Sequence, residues 1–233
     1  KKDKSLFEKS KIISQQIETI TNEQKIAKDE LNDILSNLPN VALENVPVGI
    51  DETFNEVVST HGEIKKLDFK PKSHFELGEN LKMLDFDLAT KTTSSRFVFV
   101  KSELASLERA ISNYMIDLHT KINGYVEVSP PLIANENTMF GTGQLPKFEN
   151  DQFELLLDDK LDRKFLIPTA EVILTNMVKN KILNIKDLPI RLVASTPCFR
   201  KEAGSYGKDT RGMIRQHQFY KVELVSIVEN NKC

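Results

Sequence analysis

"IRLVASTPCFRKEAGSYGKDTRGMIRQHQFYKVELVSIV", residues 190–228, contains two predicted strands separated by a long cationic connection. Segments 190–200 and 217–228 are rich in β-branched, aromatic and other apolar residues, which is typical of strands. The intervening residues 201–216 are too many for a tight hairpin turn, and long connections within compact domains are often functional. We therefore expect an antiparallel pair of strands whose connection contributes to a binding site.

The second strand has two different faces, because successive side chains of a strand point to opposite sides. Its even-numbered residues, from Gln218 to Leu224, are mostly apolar and are predicted to pack on the core. Its odd-numbered residues form a more polar face: His217, Phe219, Lys221 and Glu223. Antiparallel pairing then brings Arg200 of the first strand, which shares a face with Thr196 and Cys198, close to Phe219 and Glu223.

The chemistry of this face suits a phosphorylated ligand. An arginine fork binds phosphate oxygens through two hydrogen bonds, and an exposed phenylalanine offers a plane on which a nucleobase can stack. The residues alone therefore favour a nucleoside triphosphate, with an RNA end as a possible second ligand. They leave open a merely solvated sheet face, and they do not define a reaction.

Composition restricts the broader class of protein. The chain has 233 residues, 39% of them hydrophobic and 28% charged, with a formal net charge of −2, which is ordinary for a globular protein. No apolar run approaches the roughly 18–20 residues of a membrane span, and the first residues of the sequence contain no apolar segment of the signal-peptide type. We expect a cytoplasmic protein without a membrane partner. Cys198, Cys233 and the four histidines lack metal-ligand spacing, so no metal site is predicted.

Three regions follow one another along the chain. In residues 1–38 apolar side chains recur with heptad spacing, which predicts a coiled-coil helix that needs a partner helix. Residues 39–101 begin at Pro39 and form a connector that leads into a globular domain. Residues 102–233 open with a predicted helix, with Ser102 as its N-cap and Gly124 at its C′ position. Segments 125–131 and 164–174 are further strand candidates. The pattern indicates an α+β fold.

Several stretches of the chain resemble seryl-tRNA synthetases, a family of class II aminoacyl-tRNA synthetases. Residues 197–225, "PCFRKEAGSYGKDTRGMIRQHQFYKVELV", resemble motif 2, and residues 107–133, "LERAISNYMIDLHTKINGYVEVSPPLI", resemble motif 1. "GTGQLPKF" (141–148) and "IPTAEVILTN" (167–176) occur in the family's order. Residues 1–38 resemble the second helix of a tRNA-binding arm. The resemblance implies a class II antiparallel sheet with flanking helices, preceded by this coiled-coil arm helix.

The resemblance also implies roles for individual residues. Thr169, Glu171, Arg200 and Glu223 correspond to the serine pocket. Arg200, Glu202 and Phe219 correspond to the ATP site, where Arg200 acts in catalysis and Phe219 stacks on adenine. Lys208, Arg211 and Arg215 lie in a loop that resembles the one contacting the tRNA acceptor end.

The implied reaction has two steps. Serine and ATP with Mg2+ give seryl-adenylate and pyrophosphate, and the seryl group then moves to tRNA(Ser). Charging of tRNA(Sec) stays an open alternative. The resemblance further implies a homodimer formed through motif 1 and no prosthetic group.

The sequence departs from the family pattern at both ends. Residues 1–233 contain no segment that resembles the family's first arm helix and none that resembles motif 3. We expect such a partial chain to be inactive alone, since half of the ATP site is absent from it. Three alternatives stay open: a catalytically inactive synthetase-like module that binds nucleotide or tRNA, a relative that ligates amino acids to carrier proteins, and a coiled-coil interaction protein.

A pyrophosphate-exchange assay tests this expectation. The 233-residue chain should show negligible serine-dependent ATP–pyrophosphate exchange, because motif 2 would hold the nucleotide from one side only. Robust exchange by the isolated chain would contradict the expectation.

Overall fold

The computed structural model describes residues 4–157, 162–203 and 211–232. The chain divides into two compact units, residues 1–65 and residues 66–233. Within the described residues no helix is both long and apolar enough to cross a membrane. The assignment of domains from sequence motifs stays a prediction.

A single long helix dominates the smaller unit. Helix α1, Lys4–Asn37, ends just before Pro39, whose ring and missing N–H oppose continuation of a helix. A helix over this segment agrees with the apolar periodicity of the sequence. Its heptad residues, including Ile17 and Leu31, are more than half exposed. Pairing in a coiled coil therefore stays a prediction.

The larger unit mixes short helices with short strands. Its helices are α2 His74–Asn80, α3 Phe86–Thr92, α4 Ser102–Lys121, α5 Glu136–Gly141 and α6 Glu171–Asn176. Its strands are β1 Leu84–Asp85, β2 Phe99–Val100, β3 Val126–Glu127, β4 Ile133–Asn135, β5 Glu154–Leu155, β6 Lys164–Leu166, β7 Ile190–Phe199 and β8 Gln218–Ile227. A 3-10 turn at Glu149–Asp151 precedes β5.

Antiparallel pairing prevails in the sheets. Strands β1 and β2 pair with each other, and β5 and β4 flank β6, all antiparallel. In the third sheet β7 lies between β3, which is parallel to it, and β8, which is antiparallel. This architecture confirms the predicted α+β class.

The long hairpin is confirmed in its strands and its direction. The register runs from Ile190 opposite Ile227 to Phe199 opposite Gln218, without interruption. Cys198 consequently lies opposite Phe219, so the two side chains share a face.

The prediction of which β8 face meets the core is wrong. On the even-numbered face Tyr220 is 59% exposed and Leu224 37%, whereas the odd-numbered Val225 is 9% exposed. The reason is helix α6, which packs on the odd-numbered side. There Val225 joins a buried apolar cluster with residues of α6, its N-cap and β7, namely Leu174, Ala170, Leu192 and Ala194.

Two further predictions fail at element boundaries. The predicted strand 164–174 ends at Leu166, and α6 begins at Glu171, because Val172 and Leu174 are buried in helical geometry. A short apolar run of this kind does not distinguish strand from helix by periodicity. Helix α4 is confirmed, but Ser102 lies inside it, and the cap is Lys101, without a side-chain hydrogen bond. Gly124, with φ +69°, follows the C-cap Ile122 by two residues, one position later than predicted.

Arg163 connects three elements around β6. Its guanidinium donates to Glu136 at 2.8 Å, to Glu154 at 2.7 Å and also to Glu149, and it lies 5.0 Å from the centre of the Phe165 ring. The hydrogen bond from Arg163 lowers the pKa of the Glu154 carboxyl, and the same bond raises the pKa of Arg163. This cluster fixes the turn at Glu149–Asp151 relative to β5 and β6.

Replacement of Arg163 tests the importance of the cluster. Arg163→Gln should lower the free energy of unfolding by about 1–3 kcal/mol, since three carboxylates lose a shared, partly exposed donor. Urea unfolding at neutral pH measures the change. Lys181→Gln, which removes one positive charge from an exposed residue, is the matched control and should leave the unfolding free energy unchanged.

The pH dependence of the unfolding free energy tests separately whether the contribution of Arg163 is ionic. A carboxyl with a lowered pKa stabilises the fold above its unfolded pKa, and this contribution disappears as the pH falls through the folded pKa. The difference between wild type and Arg163→Gln should therefore be full at pH 7 and shrink below about pH 4, near the ordinary glutamate pKa. A difference independent of pH would contradict this.

Candidate functional site

Two groups of polar side chains lie on the odd-numbered face of β8. Phe219 stands at one end of this face and Glu223 four residues further along, about 13 Å away at a strand rise of roughly 3.3 Å per residue. The opposing β7 residues Cys198 and Ala194 point to the same face and are fully buried. The sheet therefore presents two polar ends of a single elongated surface.

The threonine cluster, Thr169, Lys221 and Glu223, occupies one end. The Thr169 hydroxyl donates to the Glu223 carboxylate and accepts from the Lys221 ammonium group at 3.2 Å, and Lys221 forms an ion pair with the same carboxylate. Thr169 is 3% exposed and the Glu223 side chain 15%. A carboxylate at this depth needs partners, and Lys221 and Thr169 supply them.

Glu171 borders the threonine cluster through its backbone. Its N–H donates to the Thr169 hydroxyl at 3.3 Å, while its side chain is exposed at the first turn of α6. The structure thus joins Thr169 and Glu223 directly, and their role in binding serine stays a prediction. It leaves the Glu171 carboxylate outside the hydrogen-bonded cluster.

The arginine pair, Arg200 and Phe219, occupies the other end. The guanidinium carbon of Arg200 lies 5.2 Å from the centre of the Phe219 ring, and its Nε donates to the Pro168 carbonyl at 3.3 Å. In the described part of the chain, the two terminal nitrogens of Arg200 have no hydrogen-bond acceptor. These nitrogens can receive an anionic group, since an arginine fork binds two oxygens of a phosphate or carboxylate.

The described ends of the connection between β7 and β8 meet close to Arg200. Arg215 donates to the Glu202 carboxylate at 2.7 Å, and Arg96 donates to the Glu202 carbonyl at 3.1 Å. Arg211 lies against Phe75, 5.0 Å from the ring centre. The predicted residue Lys208 lies outside the described residues.

His217 lies where the connection meets β8 and contacts both Arg200 and Phe153. Its Nδ1 is 3.0 Å from the Arg200 carbonyl, and its ring packs edge-on against Phe153 at 5.8 Å between centroids. Cys198, opposite Phe219 on β7, is fully buried, and this burial raises the pKa of its thiol. A neutral buried thiol is a poor nucleophile, so no covalent role follows from its position.

The sequence reasoning missed two residues of this site. The sequence predicts Lys221 on the polar face but indicates no role for it, although its strand parity with Glu223 is a usable signal. Asp151, which accepts hydrogen bonds from the start of the connection, carries no signal of its own in the sequence. Such a contact between distant segments appears only in three dimensions.

Comparison with known proteins finds relatives that are similar to this chain in sequence and in fold. Residues 148–233 match the tRNA synthetase class II core domain (G, H, P, S and T). The chain is 68% identical over 232 residues to the serine–tRNA ligase of Pelagibacter ubique, an alignment that covers 100% of this chain and 55% of the relative. The chain belongs to the seryl-tRNA synthetase family. The resemblance in its motifs is thereby confirmed.

Further relatives agree with this assignment. The serine–tRNA ligase of Parvibaculum lavamentivorans is 50% identical over 231 residues, which are 98% of this chain and 53% of the relative. A crystal structure of seryl-tRNA synthetase from Pyrococcus horikoshii complexed with ATP has a TM-score of 0.82 at 36% identity, over 94% of this chain and 52% of that chain. The structure of the cytoplasmic serine–tRNA ligase from Naegleria fowleri in complex with AMP has a TM-score of 0.81 at 28% identity, over 93% of this chain and 51% of that chain. This chain spans about half the length of the relatives that it matches.

Proposed function

We propose that this chain forms the serine- and ATP-binding part of a serine–tRNA ligase. The observation that carries the proposal is the joint placement of the threonine cluster and the arginine pair on one sheet face, about 13 Å apart along β8. An aminoacyl-adenylate is an elongated ligand with an amino acid at one end and adenine at the other. The match to serine–tRNA ligases and to structures complexed with ATP and AMP supports this assignment.

The threonine cluster suits a serine substrate. The Glu223 carboxylate can accept hydrogen bonds from the serine ammonium and hydroxyl groups, and the Thr169 hydroxyl can share this task. Lys221 keeps the carboxylate oriented before the substrate arrives. The exposed Glu171 is a further proposed contact, at the rim of the pocket. A pocket built to bind a hydroxyl rejects alanine, since alanine would leave buried polar groups unpaired.

The arginine pair suits the nucleotide. Arg200 would bind the serine carboxylate and the α-phosphate of ATP, and would neutralise the charge that develops as the carboxylate attacks phosphorus. Phe219 would stack on adenine, and Glu202 would contact the ATP moiety from the connection. The Mg2+ ion would enter as part of the substrate complex with ATP. Catalysis would then rest on positioning and electrostatics, without a covalent enzyme intermediate.

The partners of the reaction follow from this assignment. The cationic residues Lys208, Arg211 and Arg215 are proposed to contact the acceptor end of tRNA(Ser), and charging of tRNA(Sec) stays a secondary proposal. A homodimer through α4 is supported by the exposed apolar residues Leu107 and Ile111 on that helix. The cytoplasm is the proposed location.

Two measurements test these partners. Sedimentation of the chain as a strict monomer would count against the dimer. Binding of the tRNA acceptor stem with an affinity independent of salt would count against contacts between the cationic residues and the phosphates.

A stable analogue of the intermediate tests the function on the 233-residue chain. Isothermal titration calorimetry with seryl-sulfamoyl adenosine, whose sulfamate replaces the phosphate, should show saturable binding. The alanyl analogue should bind at least about tenfold more weakly, because one hydroxyl fewer leaves the Thr169–Glu223 pair without its partner. Arg200→Met should weaken binding of the seryl analogue by about tenfold or more, since a charge-assisted contact is lost.

A matched control lies on the same strand. Arg191 is an exposed residue of β7 with opposite parity to Arg200, so Arg191→Met removes an equal charge from the other face and should leave affinity unchanged. Equal affinity for the seryl and alanyl analogues would remove serine specificity from the proposal. Absence of binding by the folded wild-type chain would contradict the proposal as a whole.

A further inference from the structure

Glu202 has an unusual backbone conformation at the beginning of the connection. Its φ is +52°, in the left-handed region that residues with a Cβ atom rarely adopt. Such a conformation persists only where neighbouring contacts determine it, and it is common at functional sites. The conformation matters here because the Glu202 carboxylate bonds Arg215 at 2.7 Å, next to the strand end that carries Arg200.

Asp151 binds the backbone on both sides of Glu202. The N–H of Lys201 donates to the Asp151 carbonyl at 2.8 Å, and the N–H of Ala203 donates to the Asp151 carboxylate at 2.7 Å. The Ala203 N–H belongs to the peptide unit that defines ψ of Glu202, and the Lys201 N–H fixes the chain just before Glu202, so the two hydrogen bonds hold the backbone on both sides of this residue. Arg96, which donates to the Glu202 carbonyl at 3.1 Å, restricts the same segment from the opposite side of the chain.

Asp151 is itself held by its surroundings. It ends the 3-10 turn Glu149–Asp151, where its N–H donates to the Phe148 carbonyl at 3.0 Å. Glu149 at the start of this turn is bound by Arg163. Gln152, the next residue, is buried and donates through its side chain to the Phe148 carbonyl at 3.0 Å. A fixed turn can orient the connection, whereas a mobile one could not.

We propose that Asp151 is a positioning residue for the nucleotide site, acting through Glu202. It holds Glu202, two residues along the chain from Arg200, in the left-handed conformation that directs the carboxylate to Arg215. Asp151 is not assigned any contact with substrate. The inference rests on the proposed function, since Glu202 matters in this way only if the face binds a nucleotide.

Two substitutions at Asp151 separate positioning from a general structural role. Asp151→Ala removes the acceptor for Ala203 and should weaken binding of seryl-sulfamoyl adenosine and of ATP by about tenfold, the loss expected for one hydrogen bond to a charged group. Asp151→Asn keeps an oxygen at the same place and should restore affinity to within about threefold of wild type. Asp187→Ala, at an exposed acid of the same type, is the control and should bind like wild type.

Amide hydrogen exchange measures the two Asp151 hydrogen bonds directly and distinguishes their loss from a general loss of stability. In the wild type, the Lys201 and Ala203 amides should be protected, and in Asp151→Ala the Ala203 amide should exchange faster. The Met213 amide, which donates to His74 Nε2 at 2.8 Å at the far end of the connection, should keep its exchange rate. This internal reference distinguishes local release from general loosening.

The possible failures are distinguishable. If the wild type binds neither ligand, the proposed function fails. If the wild type binds and Asp151→Ala binds equally well, the inference fails while the function stands. Equal losses in Asp151→Asn and Asp151→Ala would also overturn it, since the acceptor atom would then not be the cause. Unprotected Lys201 and Ala203 amides in the wild type would overturn it even if Asp151→Ala did not fold.

Discussion

The antiparallel register of β7 and β8 is the constraint on which the site depends. A shift of one residue would turn every side chain of one strand to the opposite face, so Phe219, Lys221 and Glu223 would leave the side on which Arg200 and Thr169 lie. The register is secured at one end by the apolar cluster around Val225 and α6. The polar groups can therefore occupy the other part of the same face without weakening the pairing.

The Glu223 and Glu202 carboxylates of the site have partners within the chain. Glu223 has Lys221 and the Thr169 hydroxyl as partners, and Glu202 has Arg215. Such arrangements contribute little net stability, because desolvation offsets much of the attraction. They do restrict side-chain orientation, which is what a site working by positioning needs. Arg163 and Asp151 extend this restriction to the connection, although neither belongs to the hairpin.

The sequence predicts those elements whose formation depends on the spacing and type of neighbouring residues. Helices α1 and α4 follow from apolar periodicity, and β7 and β8 from β-rich runs around a cationic connection. The face of β8 that meets the core could not be predicted, since it depends on where α6 packs. The sequence of α6 also fits a strand, because a short apolar run is compatible with both periods. The link between Asp151 and Ala203 joins segments 52 residues apart, which no local pattern can show. Pocket roles for Arg200 and Glu223 came from family resemblance, and their placement on one face supports them as proposals.

A crystal structure of the chain with seryl-sulfamoyl adenosine tests the central claim most directly. The account predicts that adenine lies against Phe219, that the sulfamate contacts the Arg200 guanidinium, and that the seryl ammonium and hydroxyl groups meet Thr169 and Glu223. The ligand would then follow the odd-numbered face of β8 from one polar end to the other. An analogue bound on the opposite face, beside Tyr220 and α4, or bound with its ends reversed, would contradict the account.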